Sequence, residues 1–268
     1  MSATTIDEVL QELTGIIDES QRTGDRVGFF AALYYKVTAK VKEGIARGEF
    51  ADGARMEKLD VLFANRYLAA LAAWKAGGEP SAAWKAAFET SRRGSVLVLQ
   101  QLLLGISAHI NLDLGIAASE TMVGQPLDAI ESDFDNINTI IGSLTYQVIN
   151  EINHISPLLS LIGLHSAHTE SALVQFSVGN ARDGAWCFAE DLHKKTGDAY
   201  TAFITVRDTD IAKLAGTITG LRGTLRLTVW LIHLFEWKDA RRIIRELREY
   251  KKTFIHVSAE GVTGGAKK

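Results

Sequence analysis

The sequence predicts an all-α protein: one multi-helix, bundle-like domain over residues 1–252, built around a buried central helix near 95–119, with a flexible tail over 253–268. Apolar residues recur at helical spacing almost from end to end, and no run of alternating strands intervenes. Only three prolines fall in 268 residues, so few positions force a helix to stop. A composition of 47% hydrophobic and 23% charged residues is that of a folded chain with a sizeable core.

The elements follow in order. A helix over 5–20 is amphipathic, and its acidic residues stand where a secretory leader would carry basic ones. Helices over 25–47 and 54–76 come next, the second ended by GGEPS at 77–81. Ser81 is a start signal for a short helix over 81–92. After Gly94 the most apolar segment forms the 95–119 helix. The GQP break at 124–126 places Pro126 at the start of a helix over 126–155, which Ser156 and Pro157 end. Helices over 170–195, 198–218, 222–236 and 238–252 complete the chain, with Gly220 and Gly223 as breaks. The last contains RRIIRELREYKK, read as a solvated amphipathic helix with basic residues near its C-terminal end rather than as an anion site.

Charge and cysteine content narrow the partners. A formal net charge of −3 provides no basic field, so nucleic acid is not an expected partner. The single cysteine, Cys187, excludes an intramolecular disulfide framework and fits a cytoplasmic location; its apolar neighbours in GAWCFAEDL suggest a buried, inert thiol. The stretch SVLVLQQLLLGISAHINLDLGIAAS is long enough to span a bilayer. Gln100, Gln101, His109, Asn111 and Asp113 interrupt it, so burial inside a helical protein is expected instead of a transmembrane segment.

Those interruptions are the best functional lead. His109 and Asp113 are four residues apart and lie side by side on a helix, with Gln101 and Glu120 near the same flank and Asn111 pointing elsewhere. Asp113 would orient the imidazole and raise its basicity, or both would ligate a divalent metal together with Asp60 and Asp133. A second polar stripe, Asp133, Asn136, Ser143, Gln147, Glu151 and His154, occupies about 80° of the next long helix. No lysine or arginine lies between Arg93 and Arg182, which is unusual for a solvent face. The expected outcome is one buried network joining His109 and Asp113 to Asp133 or Asn136 and to Arg66 or Arg182, the arginines being paired with carboxylates such as Asp60. The same polar residues are also what a structural ion-pair network would need.

Two Glu-x-x-His pairs, Glu151/His154 and Glu190/His193, resemble half of a di-iron carboxylate site, but the further glutamates are missing. His165 and His168 fall in a loop without a third ligand. No phosphate loop, nucleophile elbow, HExxH or CxxC is present. Phe29, Phe30, Tyr34, Tyr35, Trp74, Trp84 and Trp186 read mostly as core, with some available to line an apolar pocket.

Four blocks, LDVLFANRYLAAL (59–71), LQQLLLGISAHINLDLGIAA (99–118), SDFDNIN (132–138) and ARDGAWCFAEDL (181–192), resemble the signature blocks of an uncharacterised helical bacterial family, a domain of unknown function. The resemblance implies that Asp60, Arg66, His109, Asn111, Asp113, Asp133, Asn136, Arg182 and Trp186 are pattern positions, and it brings no reaction with it. The leading expectation is an enzyme in which His109, Asp113, Arg66 and Arg182 act on a small, partly apolar substrate, by hydrolysis or isoprenoid-type cyclisation, with Asn136 and Trp186 contacting it. A non-catalytic binder of an apolar ligand and a structural helical protein are the alternatives.

Overall fold

The computed structural model describes residues 2–165 and 178–249. Among them are eleven α-helices, one π-helical turn, two 3₁₀ segments and no strand. The helices are α1 (Ile6–Thr23), α2 (Val27–Ala46), α3 (Gly53–Lys75), α4 (Ala82–Ser91), α5 (Val98–Ala108), α6 (Gly115–Thr121), α7 (Glu131–Ile155), α8 (Val178–His193), α9 (Gly197–Thr219), α10 (Gly223–Phe235) and α11 (Ala240–Glu249). Residues 166–177 and the expected tail over 253–268 lie outside the described residues, as does the basic segment beyond Glu249.

Local chemistry explains the boundaries. The Thr5 side chain accepts the Glu8 amide at 3.2 Å to start α1, and Gly24 ends it at φ 81°, a conformation that suits a residue without a Cβ. One face of α1 buries Ile6, Val9, Leu13 and Ile17, the 3–4 spacing of a helix lying on a core. Asp52 accepts the Arg55 amide at the head of α3, and Ser81 accepts the Trp84 amide at the head of α4. Pro126 precedes a 3₁₀ turn, Leu127–Ile130, so α7 begins later than the pattern suggested.

The central helix is present but not uniform. Ala108 and Gly115 keep helical dihedrals on either side of the π turn His109–Leu114, so Val98 to Thr121 forms one continuous rod. This rod is long and apolar enough to cross a membrane, yet 83% of its most apolar stretch is buried inside the protein. Helices α2, α3, α4, α8 and α9 pack against it. Two glycines allow the closest approaches. A Cβ on Gly105 would lie 2.6 Å from Phe30 of α2, and one on Gly115 would lie 2.8 Å from the Ala185 carbonyl oxygen of α8. The carbonyl belongs to backbone and cannot rotate away. Gly115→Ala is therefore expected to cost about 1–3 kcal/mol, read as a lower urea midpoint; an unchanged midpoint would mean that α6 and α8 have room to separate.

The polar stripe of α7 is a helix seam rather than part of a central network. Asp133 accepts the amides of Ala51 and Asp52 at 2.7 and 3.0 Å and so terminates the α2–α3 connection. Asn136 donates to the Glu49 carbonyl at 2.6 Å, and fully buried Glu151 pairs with Lys36 of α2. His154 binds Glu246 of α11 at 2.6 Å. A carboxylate that holds two loop amides needs neither solvent nor a lysine on its own helix, which accounts for the missing basic residues. The Ser143 side chain lies outside the described residues.

Cys187 is exposed, contrary to the expected buried thiol: in α8 the inward positions are Ala185, Phe188 and Ala189, and residue 187 falls on the opposite flank. Near the C-terminus, α11 turns Ile243, Ile244 and Leu247 inward. Three of its four arginines are engaged: Arg241 donates to the Arg22 carbonyl at the end of α1, Arg248 binds Asp18, and Arg242 lies 3.5 Å over the Trp237 ring.

Candidate functional site

The central rod carries His109 and Asp113 on its π turn, a helix variant common at functional positions. They are 3% and 2% exposed, so their polar atoms depend on partners inside the protein rather than on bulk water. Asp113 is the hub. One oxygen accepts the Arg66 Nε–H at 3.0 Å, and the other accepts the Trp84 indole N–H at 2.7 Å and faces His109 Nδ1 at 3.2 Å. Because both oxygens already accept N–H donors, Nδ1 carries the imidazole proton and Nε2 is left as an acceptor. Arg66 continues outward to Glu120 at 3.9 Å, whose carboxylate lies 3.4 Å from the Tyr200 hydroxyl.

Around the imidazole the protein builds an aromatic box. Phe63 stacks on His109 with centroids 3.5 Å apart and planes at 8°, and Tyr34 meets it edge-on at 4.4 Å. Phe30, Trp84 and Tyr67 stand at 5.6, 5.9 and 6.2 Å. Removing water in this way pushes the imidazole below the ordinary histidine value; Asp113 opposes the shift and Arg66 adds to it. The neutral, Nδ1-protonated form follows at neutral pH. His109 Nε2 has no hydrogen-bond partner.

Beside the box lies an almost wholly apolar cavity of about 200 Å³ between α2, α3, the central rod, α7 and α8. Its wall includes Tyr34, Phe63, His109, Asp60 and Arg182. Asp60, 7% exposed, has a carboxyl oxygen without a partner, whereas the buried Tyr34 hydroxyl has the Thr38 side chain beside it on the same helix. Burial, with a smaller contribution from Glu57, pushes the Asp60 carboxyl up to about 7. Burial likewise lowers Arg182 to about 10.

The predicted site residues thus separate into three groups. His109, Asp113 and Arg66 meet as expected, while Asp60 and Arg182 share the cavity wall without pairing with each other. Arg182 donates to Asn138 and to the Phe134 carbonyl and lies 4.5 Å over the Phe134 ring, where a carboxylate partner had been expected. Asp133 and Asn136 belong to the α2–α3 connection, and Trp186 packs on Phe134 at 4.9 Å and is not part of the cavity wall. Asn111 donates to Ser107, and Gln101 to the Val96 carbonyl.

Of the four residues considered as metal ligands, His109 and Asp113 are in contact, but the four do not converge on one ion position. Asp133 is committed to loop amides and Asp113 to three N–H groups, and no group of three or more His, Cys, Asp or Glu among the described residues gathers around one ion position. The two Glu-x-x-His pairs are also apart: Glu151 holds Lys36, His154 holds Glu246, and His193 lies 2.9 Å from the Gln125 carbonyl. The His165 side chain and His168 lie outside the described residues.

Sequence reasoning passed over Phe63 and Tyr67. Their signal was available: Phe63 and Tyr67 in α3, like Phe30 and Tyr34 in α2, are aromatic pairs at i,i+4 spacing, which places both members on one face. Residues 6–220 match the sequence model of a family described as a family of unknown function, DUF5995. No curated protein and no solved structure matches the chain.

Proposed function

The chain belongs to the DUF5995 family, and since no activity comes with that membership we propose, from the site alone, that the protein binds a small, mainly apolar molecule in the cavity beside His109 and uses the His109–Asp113 pair as a base toward it. The carrying observation is that His109 Nε2 and an Asp60 carboxyl oxygen are both buried without partners on residues that line one cavity. Each such atom costs roughly 1–3 kcal/mol, and packing alone returns nothing for it. Polar contact with a bound molecule offsets that cost.

Proton transfer is supported by the orientation of the ring. Asp113 holds Nδ1–H, so Nε2 presents its lone pair and accepts a proton while Asp113 stabilises the resulting imidazolium. Nε2 is covered by its neighbours, so engagement requires a side-chain rotation of Tyr34 or Phe63. The hydrocarbon character of the remaining wall favours a second reading, storage or carriage of an apolar ligand without chemistry.

Deuterium exchange separates the two. A small ketone such as 2-octanone, incubated in D₂O, should exchange its α-protons faster with wild-type protein than with His109→Gln, at equal protein concentration. Equal rates would remove the base and leave the binding reading alone.

A further inference from the structure

Arg182 is 3% exposed, yet no carboxylate among the described residues forms an ion pair with it. Its Nε–H and one Nη donate to Asn138 and the Phe134 carbonyl, both neutral acceptors, and the Phe134 ring face lies 4.5 Å from the guanidinium carbon. Those contacts orient the group but cancel none of its charge. The acidic residues that act on it, Asp135 and Asp183, are exposed and lie beyond ion-pair distance. A buried cation left in this state is expensive, and it persists where something supplies the missing anion. Arg182 lines the same cavity as His109.

From this we infer that the ligand is an anionic amphiphile, a monocarboxylate on a short hydrocarbon stem, with its carboxylate on Arg182 and its stem along the apolar wall. The inference rests on the reading of the cavity as a small-molecule site. A single guanidinium neutralises one charge and matches a planar carboxylate through parallel N–H bonds. A phosphate dianion would leave excess charge in an apolar enclosure. Asp60, the carboxyl in the cavity wall, is held partly protonated near neutrality and so does not repel a carboxylate as a free aspartate would. The cavity volume of about 200 Å³ sets the size. A comparable engineered cavity of about 150 Å³ holds benzene, so a ligand near the size of octanoate fills this one.

Calorimetry at pH 6.5 with octanoate, 1-octanol and octylamine tests the assignment. Octanoate should bind wild type about tenfold or more tighter than 1-octanol, the surplus of one charge-assisted hydrogen bond, and octylamine should bind weakest. Arg182→Gln should lose that preference while still binding 1-octanol. Should the variant fail to fold, ¹⁵N spectra of wild type serve instead: octanoate should shift the Arg182 guanidinium resonances and 1-octanol should not. Equal binding of octanoate and 1-octanol, or an unmoved Arg182 signal, overturns the anion assignment while leaving the cavity as a binding site. Failure of all three probes to bind overturns both.

Discussion

Asp113→Ala is expected to destabilise the protein by about 3–5 kcal/mol, the range for breaking a buried charge network by removing one partner. Three donors lose their acceptor at once. Arg66 is 29% exposed and recovers hydration, so its share is small. The Trp84 indole N–H and the His109 Nδ1–H are buried and cannot, and each unsatisfied group costs roughly 1–3 kcal/mol. The cavity left by the carboxylate adds to this. Urea unfolding at pH 7, followed by circular dichroism, measures the loss. Adding Arg66→Met to Asp113→Ala should change little further, because the cost resides in the buried donors. A loss below about 0.5 kcal/mol would show that the carboxylate does not hold these groups.

Asp60→Asn should do the opposite and stabilise the ligand-free protein, in a pH-dependent way. The carboxyl ordinarily titrates near 3.8, and burial raises it to about 7 in the folded protein. Below about 4 the group is protonated whether the chain is folded or not, so its ionisation has no effect on stability. As pH rises toward 7 the unfolded chain releases the proton while the folded protein keeps it, and stability falls. Above 7 both forms are ionised and the penalty is complete. A shift of that size corresponds to roughly 4 kcal/mol, so the variant should gain about 2–4 kcal/mol between pH 4 and pH 8 relative to wild type. Comparing the two pH values cancels whatever the amide itself gains or loses. Parallel stability curves for the two proteins would show that Asp60 titrates normally and reaches water. Retaining a carboxyl at this cost is itself what a binding site would require, and ligand saturation should reduce the difference between the two proteins.

How far the site was legible depends on the range of each contact. His109 and Asp113 were recognisable because four residues on a helix bring two side chains together whatever surrounds them. Their partnership survives the π turn, which no pattern in HINLDL announced. Arg66 was recognisable as an arginine on an otherwise apolar helix that had to pair with a carboxylate, but Arg182 satisfied the same description and took a carbonyl and an amide oxygen instead. Asp133 and Asn136 looked like members of the His109 network because their helix lacked basic residues. Their actual partners, the backbone groups of residues 49–52, lie more than eighty positions away and leave no trace in side-chain spacing.

Helix content, the order of the helices, the capping by Ser81 and the burial of the central rod follow from the sequence alone, because each depends on periodicity and on chemistry within a few residues. The aromatic box around His109, the unpaired Asp60 and Arg182, the outward-facing Cys187 and the cavity were decided only when the helices packed. A cavity is the space that side chains from five separate segments fail to fill, and an unpaired charge is the absence of a distant partner. Both are properties of how the helices are placed in three dimensions, which local spacing does not encode.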